Sequence, residues 1–340
     1  MEFLFYISTG LFLGWSLGSN NMSNMFGSAL GMRMVSLKTA RLLAFIFVIL
    51  GACISGQGTT HTLQQLGVIQ QMPIAFGVAL AAGLTLFVTN RIGMPISATQ
   101  SVVGAWIGWC LYEHRDLSFF VVGKIVASWF VSPLMAAVVA FILAWSLRAF
   151  LQKYSVSLLY RDAYTRVGLI VAGVASAYAV GANSIANVVA PFAGAVDMPD
   201  LVIGGLVLSA QQQLCFLCAL SMAVGTWTFS RRVSDTIGKG LARLSAIEAF
   251  VTVSSHAIVL FLFSSVALRS LFHAFHLIPV PLVPISSPGA MIGALIGVSL
   301  LKKGAGLRYS ALGKIAVMWL IAPILSACVC LCALSMIEFV

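Results

Sequence analysis

Two short stretches of this chain repeat a pattern suited to holding a small charged ligand: Gly18-Ser19-Asn20-Asn21-Met22-Ser23-Asn24 and Gly181-Ala182-Asn183-Ser184-Ile185-Ala186-Asn187. Each spaces its carboxamides as Gly-x-Asn-x-x-x-Asn at the end of an otherwise apolar segment, where donors and acceptors are costly unless something polar meets them. Gly and Ser allow a helix to break there. The half-helix that follows would present free backbone N–H groups and a positive dipole end, with the Asn side chains adding further donors and acceptors. Such a site would hold a small oxyanion. Two more segments supply polar side chains at expected helix starts: Ser97, Thr99 and Gln100 follow Pro95, and Ser286, Ser287 and Gly289 follow Pro284. Four helix N-termini would then converge on one cage. Any one of these motifs alone reads more readily as interhelical packing, for which small polar residues are the usual means in membranes. Their duplication at matched positions favours the cage.

The elements that must position these residues are membrane helices. Hydrophobic residues make up 60% of the chain, charged residues 8%, and the mean hydropathy is +1.03, whereas ordinary soluble domains carry roughly 25% charged residues. Apolar runs near the ~20 residues that a bilayer core asks of a helix recur along the whole chain. The expected fold is an all-α integral membrane protein of the plasma membrane. The first apolar run starts at Phe3 with no Lys or Arg ahead of it and continues into Gly18, so it reads as a first span and not as a secretory signal. The net charge of +10 is spread over short loops, which positive-inside bias explains without nucleic acid. Seven cysteines all lie in apolar runs. Neither the Cys215/Cys218 pair nor Cys328, Cys330 and Cys332 has a nearby His or carboxylate to complete a metal site, and packing is the simpler role. No resident metal or cofactor is expected.

Along the chain the motifs recur in one order. From Gly18 to Gly181 is 163 residues, from Pro95 to Pro284 189, and from Trp129 to Trp319 190, which reads as an internal duplication. Residues 1–147 form the first repeat, 148–166 a basic linker and 167–340 the second repeat. Loop charges swap sign between the copies. Arg33, Lys38 and Arg41 match Asp197 and Asp200; the uncharged stretch from Gln57 to Met72 matches a loop with Arg231, Arg232, Lys239 and Arg243; the acidic loop at Glu113 matches Lys302 and Lys303. Under the positive-inside rule the copies are inverted. About ten spans, five per copy, with broken or re-entrant helices, would place the linker in the cytoplasm and both termini outside. Inverted halves imply alternating access and a secondary transporter. Its expected partners are a small inorganic oxyanion, the lipid bilayer and a second copy in a homodimer.

Few ionisable residues fall inside the spans. Glu248 opens the run from Ala246 to Leu268 beside Arg243, with which it is expected to pair; a proton relay from Glu248 to His256 is the alternative. No positioned nucleophile or base marks an enzyme.

The two Asn-rich stretches resemble the duplicated signature of the inorganic phosphate transporter family, Gly-Ala-Asn-Asp-Val-Ala-Asn-Ala. Pro95-Ile96-Ser97-Ala98-Thr99-Gln100 and Pro284-Ile285-Ser286-Ser287-Pro288 are similar to its Pro-Val-Ser-Thr-Thr-His segment, and Thr236-Ile237-Gly238-Lys239 to its Thr-Val-Gly-Lys. The resemblance spans essentially the whole chain. It implies an inverted-repeat carrier of inorganic phosphate by symport with Na⁺ or H⁺, its substrate held by Asn20, Asn21, Asn24, Ser97, Thr99, Gln100, Asn183, Ser184, Asn187, Ser286 and Ser287. A coupling Na⁺ would fall near Asn21 and Ser184. Those two positions carry Asp in the family, and Gln100 stands where His is usual. A carboxylate is the natural acceptor for the proton that phosphate keeps near neutral pH, whereas sulfate has no such proton, so the loss of both Asp tilts the cage towards a fully ionised anion. Sulfate permeation by the same fold is therefore the alternative, followed by a passive anion channel.

Overall fold

The computed structural model describes residues 2–154, 157–203, 206–228, 241, 244–277, 280–304 and 306–337. Among them are twelve helices and one hairpin: α1 (Glu2–Gly31), α2 (Leu37–Ser55), α3 (Gln57–Gln64), α4 (Met72–Arg91), α5 (Ala98–Tyr112), α6 (Phe119–Lys153), α7 (Leu158–Val189), antiparallel β1 (Leu201–Ile203) and β2 (Leu206–Leu208), α8 (Ala210–Thr228), α9 (Ala246–Ser264), α10 (Val266–Ala274), α11 (Ser287–Leu300) and α12 (Tyr309–Ile337). Six helices, α2, α4, α6, α7, α9 and α12, are long and apolar enough to cross a membrane. Carboxamides dilute the apolar character of α1 and α8, while α5 and α11, with 15 and 14 residues, fall short of the ~20 that a full crossing requires.

Burial sorts the helices into a centre and a rim. Of the most apolar window, 72% is buried in α7 but only 28% in α2, 28% in α6 and 22% in α12. The rim helices turn Leu42, Phe130, Leu134, Leu320 and Ile324 outward, a surface that suits acyl chains and not water. In α1 nearly every residue from Leu13 to Ala29 is buried, so the Asn-rich end of α1 lies in the centre beside α7.

Packing partners come in matched pairs across the two halves. α1 packs on α8 and α4, as α7 packs on α2 and α9; α5 packs on α12 and α4, as α11 packs on α6 and α9. Close crossings repeat the match. A Cβ on Gly104 of α5 would collide with the Pro323 backbone inside α12, and one on Gly293 of α11 with the Pro133 backbone inside α6. Small residues let the helix axes approach to that distance.

Several expectations change. Neither Gly18 nor Gly181 breaks its helix; α1 and α7 run unbroken through both motifs. The missing Cβ is used for packing instead, Gly18 meeting the Met222 carbonyl of α8 and Gly181 the Val48 carbonyl of α2. Only two of the four expected helix starts are real, at Ser97 before α5 and Ser286 before α11, both in extended backbone, where Pro95 and Pro284 disfavour helix in the residues before them. The uncharged stretch after Gly56 contains α3. The linker 148–166 is largely helix, since α6 runs to Lys153 and α7 starts at Leu158. The run expected from Leu201 opens with the β1–β2 hairpin before α8, and the run from Ala246 to Leu268 divides at Ser265, whose hydroxyl caps α10. Arg231, Arg232, Lys239, Arg243 and the Thr236 to Lys239 segment lie outside the described residues.

Candidate functional site

The two Asn motifs meet in the centre of the bundle. On each helix the three polar residues sit at i, i+1 and i+4, so they share one face, and all six are nearly inaccessible. Asn21 Nδ2 donates to Ser184 Oγ at 3.3 Å. These residues hold the same place in the two motifs, so the motifs touch at equivalent positions. Asn24 Nδ2 serves both Asn21 Oδ1 at 3.3 Å and Ser287 Oγ at 3.0 Å, tying α1 to the start of α11. Asn187 Oδ1 and Asn24 Oδ1 are buried without a hydrogen-bond partner.

Two of the expected ligands are occupied elsewhere. Asn20 Nδ2 donates to Asn90 Oδ1 of α4 at 2.7 Å, and Asn90 in turn donates to Ser16 O at 2.8 Å and Ser19 Oγ at 3.0 Å. Asn183 Nδ2 donates to Ile285 O at 3.0 Å, while its Oδ1 accepts from Ile285 N at 2.9 Å. This clamp fixes the extended segment ahead of α11. Asn183 therefore acts on backbone, and Asn20 on a neighbouring carboxamide.

The two helix starts differ. At α11, Ser286 Oγ accepts from Gly289 N at 3.1 Å, satisfying one of the first-turn donors. At α5, Ser97 makes no such cap, and Ser97 Oγ and Gln100 Oε1 are buried without partners. Thr99 is buried beside them. α5 packs against α7 and α11 against α1, and the Asn24–Ser287 bond places the α11 start at the first Asn motif. Among the described residues no hydrogen bond joins Ser97, Thr99 or Gln100 to the carboxamides.

Sequence reasoning missed three participants. Asn90 and Ser176 were not singled out, although a carboxamide closing an apolar run, as Asn90 does, is the same signal that marked Asn20. The sequence relates His256 only to Glu248. Its Nε2 lies 3.0 Å from Ser287 Oγ and its Nδ1 2.9 Å from Ser176 Oγ. Glu248 instead sits in a capping box with Ser245 and pairs with Lys302 Nζ at 2.6 Å. Its place at the exposed start of α9 separates it from His256 by two turns.

The cluster is thus made of carboxamides, hydroxyls, one imidazole and a helix start with unpaired N–H groups, with no carboxylate among its described members. Donors in such a closed setting suit an oxyanion, and the free carboxamide oxygens suit a partner that brings a proton or positive charge.

Residues 17–270 match the family model described as the phosphate transporter family. The chain is 23% identical to a candidate phosphate permease of Haemophilus influenzae over 92% of this chain and 91% of that one. It is 26% identical to the sulfate permease CysP of Bacillus subtilis over 93% of this chain and 82% of that one. A solved structure titled as the sodium-dependent phosphate transporter superposes with a TM-score of 0.79 at 18% identity, covering 100% of both chains, which shows a shared fold. A multi-pass membrane protein with duplicated Asn motifs meeting at its centre, this chain belongs to the phosphate transporter family.

Proposed function

We propose that the chain is a secondary active symporter that carries inorganic phosphate across the plasma membrane by alternating access, with Na⁺ or H⁺ as the coupling ion. The observation that carries this reading is the direct meeting of Asn21 with Ser184 in a closed polar centre. A ligand held there is shut off from both sides, so release requires the halves to move. The matched packing of the two halves and the swapped loop charges support two inverted copies able to exchange conformations. In this reading Asn24, Asn187, Ser287, Ser97, Thr99, Gln100 and the α5 N-terminus hold the anion, Asn21 and Ser184 join the copies, and Asn20 and Asn183 brace them.

Phosphate is favoured by the unpartnered oxygens of Asn24, Asn187 and Gln100. Each accepts, and a hydrogen phosphate has O–H to give where sulfate has none. Sulfate is the second reading, supported by Asn21 and Ser184 at the positions where the family carries Asp. Competition between labelled phosphate and labelled sulfate in proteoliposomes, with and without Na⁺, decides between them. Uptake of phosphate that excess sulfate leaves unchanged is the expected outcome, whereas uptake of neither anion would remove the transport reading.

A further inference from the structure

We propose that His256 carries the coupling proton and that Ser287 passes its protonation state on to the anion. This inference rests on the symport reading and goes further by naming the coupling ion and the residue that takes it. His256 lies in mid-helix on α9 and is wholly buried, the sole acid–base side chain other than cysteine among the described buried residues. An imidazole can hold a proton on either ring nitrogen, and here each nitrogen faces a hydroxyl. The helices packed around α9 are α1, α6, α7 and α11. What they bring to the ring is neutral: Ser176 from α7, Ser287 from α11 and, behind Ser287, Asn24 from α1. The buried polar residues of α6 are the hydroxyls Ser128 and Ser132. None of Glu2, Lys124, Arg148, Lys153, Arg161, Asp162 and Arg166, the charged residues of those helices, is buried, and Glu248 on α9 itself is held by Lys302.

Counting hydrogen bonds at Ser287 gives the coupling. Its hydroxyl has one proton and two acceptor positions, and Asn24 Nδ2–H occupies one of these. In the neutral ring with Nδ1–H given to Ser176, Nε2 is bare and draws the Ser287 proton to itself, so the hydroxyl has nothing left to donate. Once Nε2 is protonated, the ring donates to the second acceptor position and the Ser287 O–H is released toward the anion. The imidazolium also brings a positive charge into a cage that otherwise has none. Anion and proton therefore favour each other's binding by the same factor, as linkage requires. The proton arrives from water on the side where the anion enters, resides on the imidazole during the crossing, and returns to water on the other side after the anion has left.

Proteoliposomes containing the full chain test this with labelled phosphate and labelled sulfate. Without Na⁺, an inward pH gradient is expected to drive accumulation by the wild type, about tenfold for each pH unit and coupled proton. His256→Gln keeps a polar group between the two hydroxyls but cannot take a proton; it is expected to lose pH-driven accumulation while still exchanging internal for external anion. Ser176→Ala, which leaves the ring in place, is expected to shift the pH above which the KM for anion rises. Accumulation driven by Na⁺ alone and indifferent to pH overturns the proposal, as does undiminished pH-driven accumulation by His256→Gln. If His256→Gln neither accumulates nor exchanges, an unshifted KM profile in Ser176→Ala overturns it. A wild type that neither accumulates nor exchanges either anion removes the symport reading itself, a separate result.

Discussion

The starts of α5 and α11 stand at matching points of the two halves, follow matching Pro-Ile-Ser segments, and are built differently. At α11 the two serines and the segment before them are engaged: Ser286 caps Gly289 N, Asn183 clamps Ile285, and Ser287 joins Asn24 to His256. At α5 the counterparts lack these ties. Ser97 caps nothing, Gln100 Oε1 has no partner, and Asn20, which stands where Asn183 does, turns away to Asn90. Two copies of one motif have thus divided the work. The α11 start is braced and hydrogen-bonded to His256, and the α5 start keeps Ser97 Oγ and Gln100 Oε1 without partners in the protein. Buried polar groups without partners cost about 1–3 kcal/mol each, a cost that the anion of the proposed function would offset.

Substitutions on the two sides should separate binding from bracing. The largest effect is expected from Asn187→Leu and Asn24→Leu, both of which should lower uptake about a hundredfold, a loss near 2.7 kcal/mol of the kind removed with one well-placed polar contact. They should differ in stability. Asn187 has an unpartnered oxygen, so its loss should leave the melting temperature unchanged or raised; Asn24 holds Ser287, so its loss should lower it. Thermal unfolding in detergent beside uptake checks the pair, and equal melting temperatures would erase the distinction.

A middle-sized effect is expected from Asn183→Ala. Removing the clamp leaves the Ile285 N–H and C=O unpaired in the core, and each such group costs about 1–3 kcal/mol. Asn20→Ala should cost less, because Asn90 keeps its bonds to Ser16 and Ser19. Denaturation midpoints measure the order, and the reverse order would mean that α4 and not the α11 segment is the main brace.

The smallest effects distinguish the two helix caps. Ser286→Ala should cost about 1 kcal/mol of stability, the usual worth of an N-cap, whereas Ser97→Ala should cost none and instead raise the KM for anion. A stability loss at Ser97 with KM unchanged would make the α5 start structural, like its counterpart.

Much of this architecture was readable locally. Apolar runs announced membrane helices because lipid exposure and hydrogen-bond closure leave a helix few alternatives. The starts of α5 and α11 were readable because proline and a capping serine act within a few residues of themselves. The Asn motifs were readable as a pair because the chain states them twice. At the site, the differences concern partners far away in sequence. Whether Gly18 breaks a helix or lets one approach depends on Met222; whether Asn20 faces a ligand depends on Asn90, 70 residues on; and the tie between Asn24 and Ser287 crosses 263 residues.

The sequence by itself therefore determined the solvent of this protein, the identity of its polar residues and the points where two helices begin, since these follow from short-range sterics and from transfer out of water. Only the tertiary structure decided which of those polar residues satisfy one another, which are left unpartnered, and that His256 sits against Ser287. A carboxamide's role is fixed by what stands within about 3 Å of it, and for Asn20, Asn21, Asn24 and Asn183 a decisive neighbour comes from a segment distant in sequence.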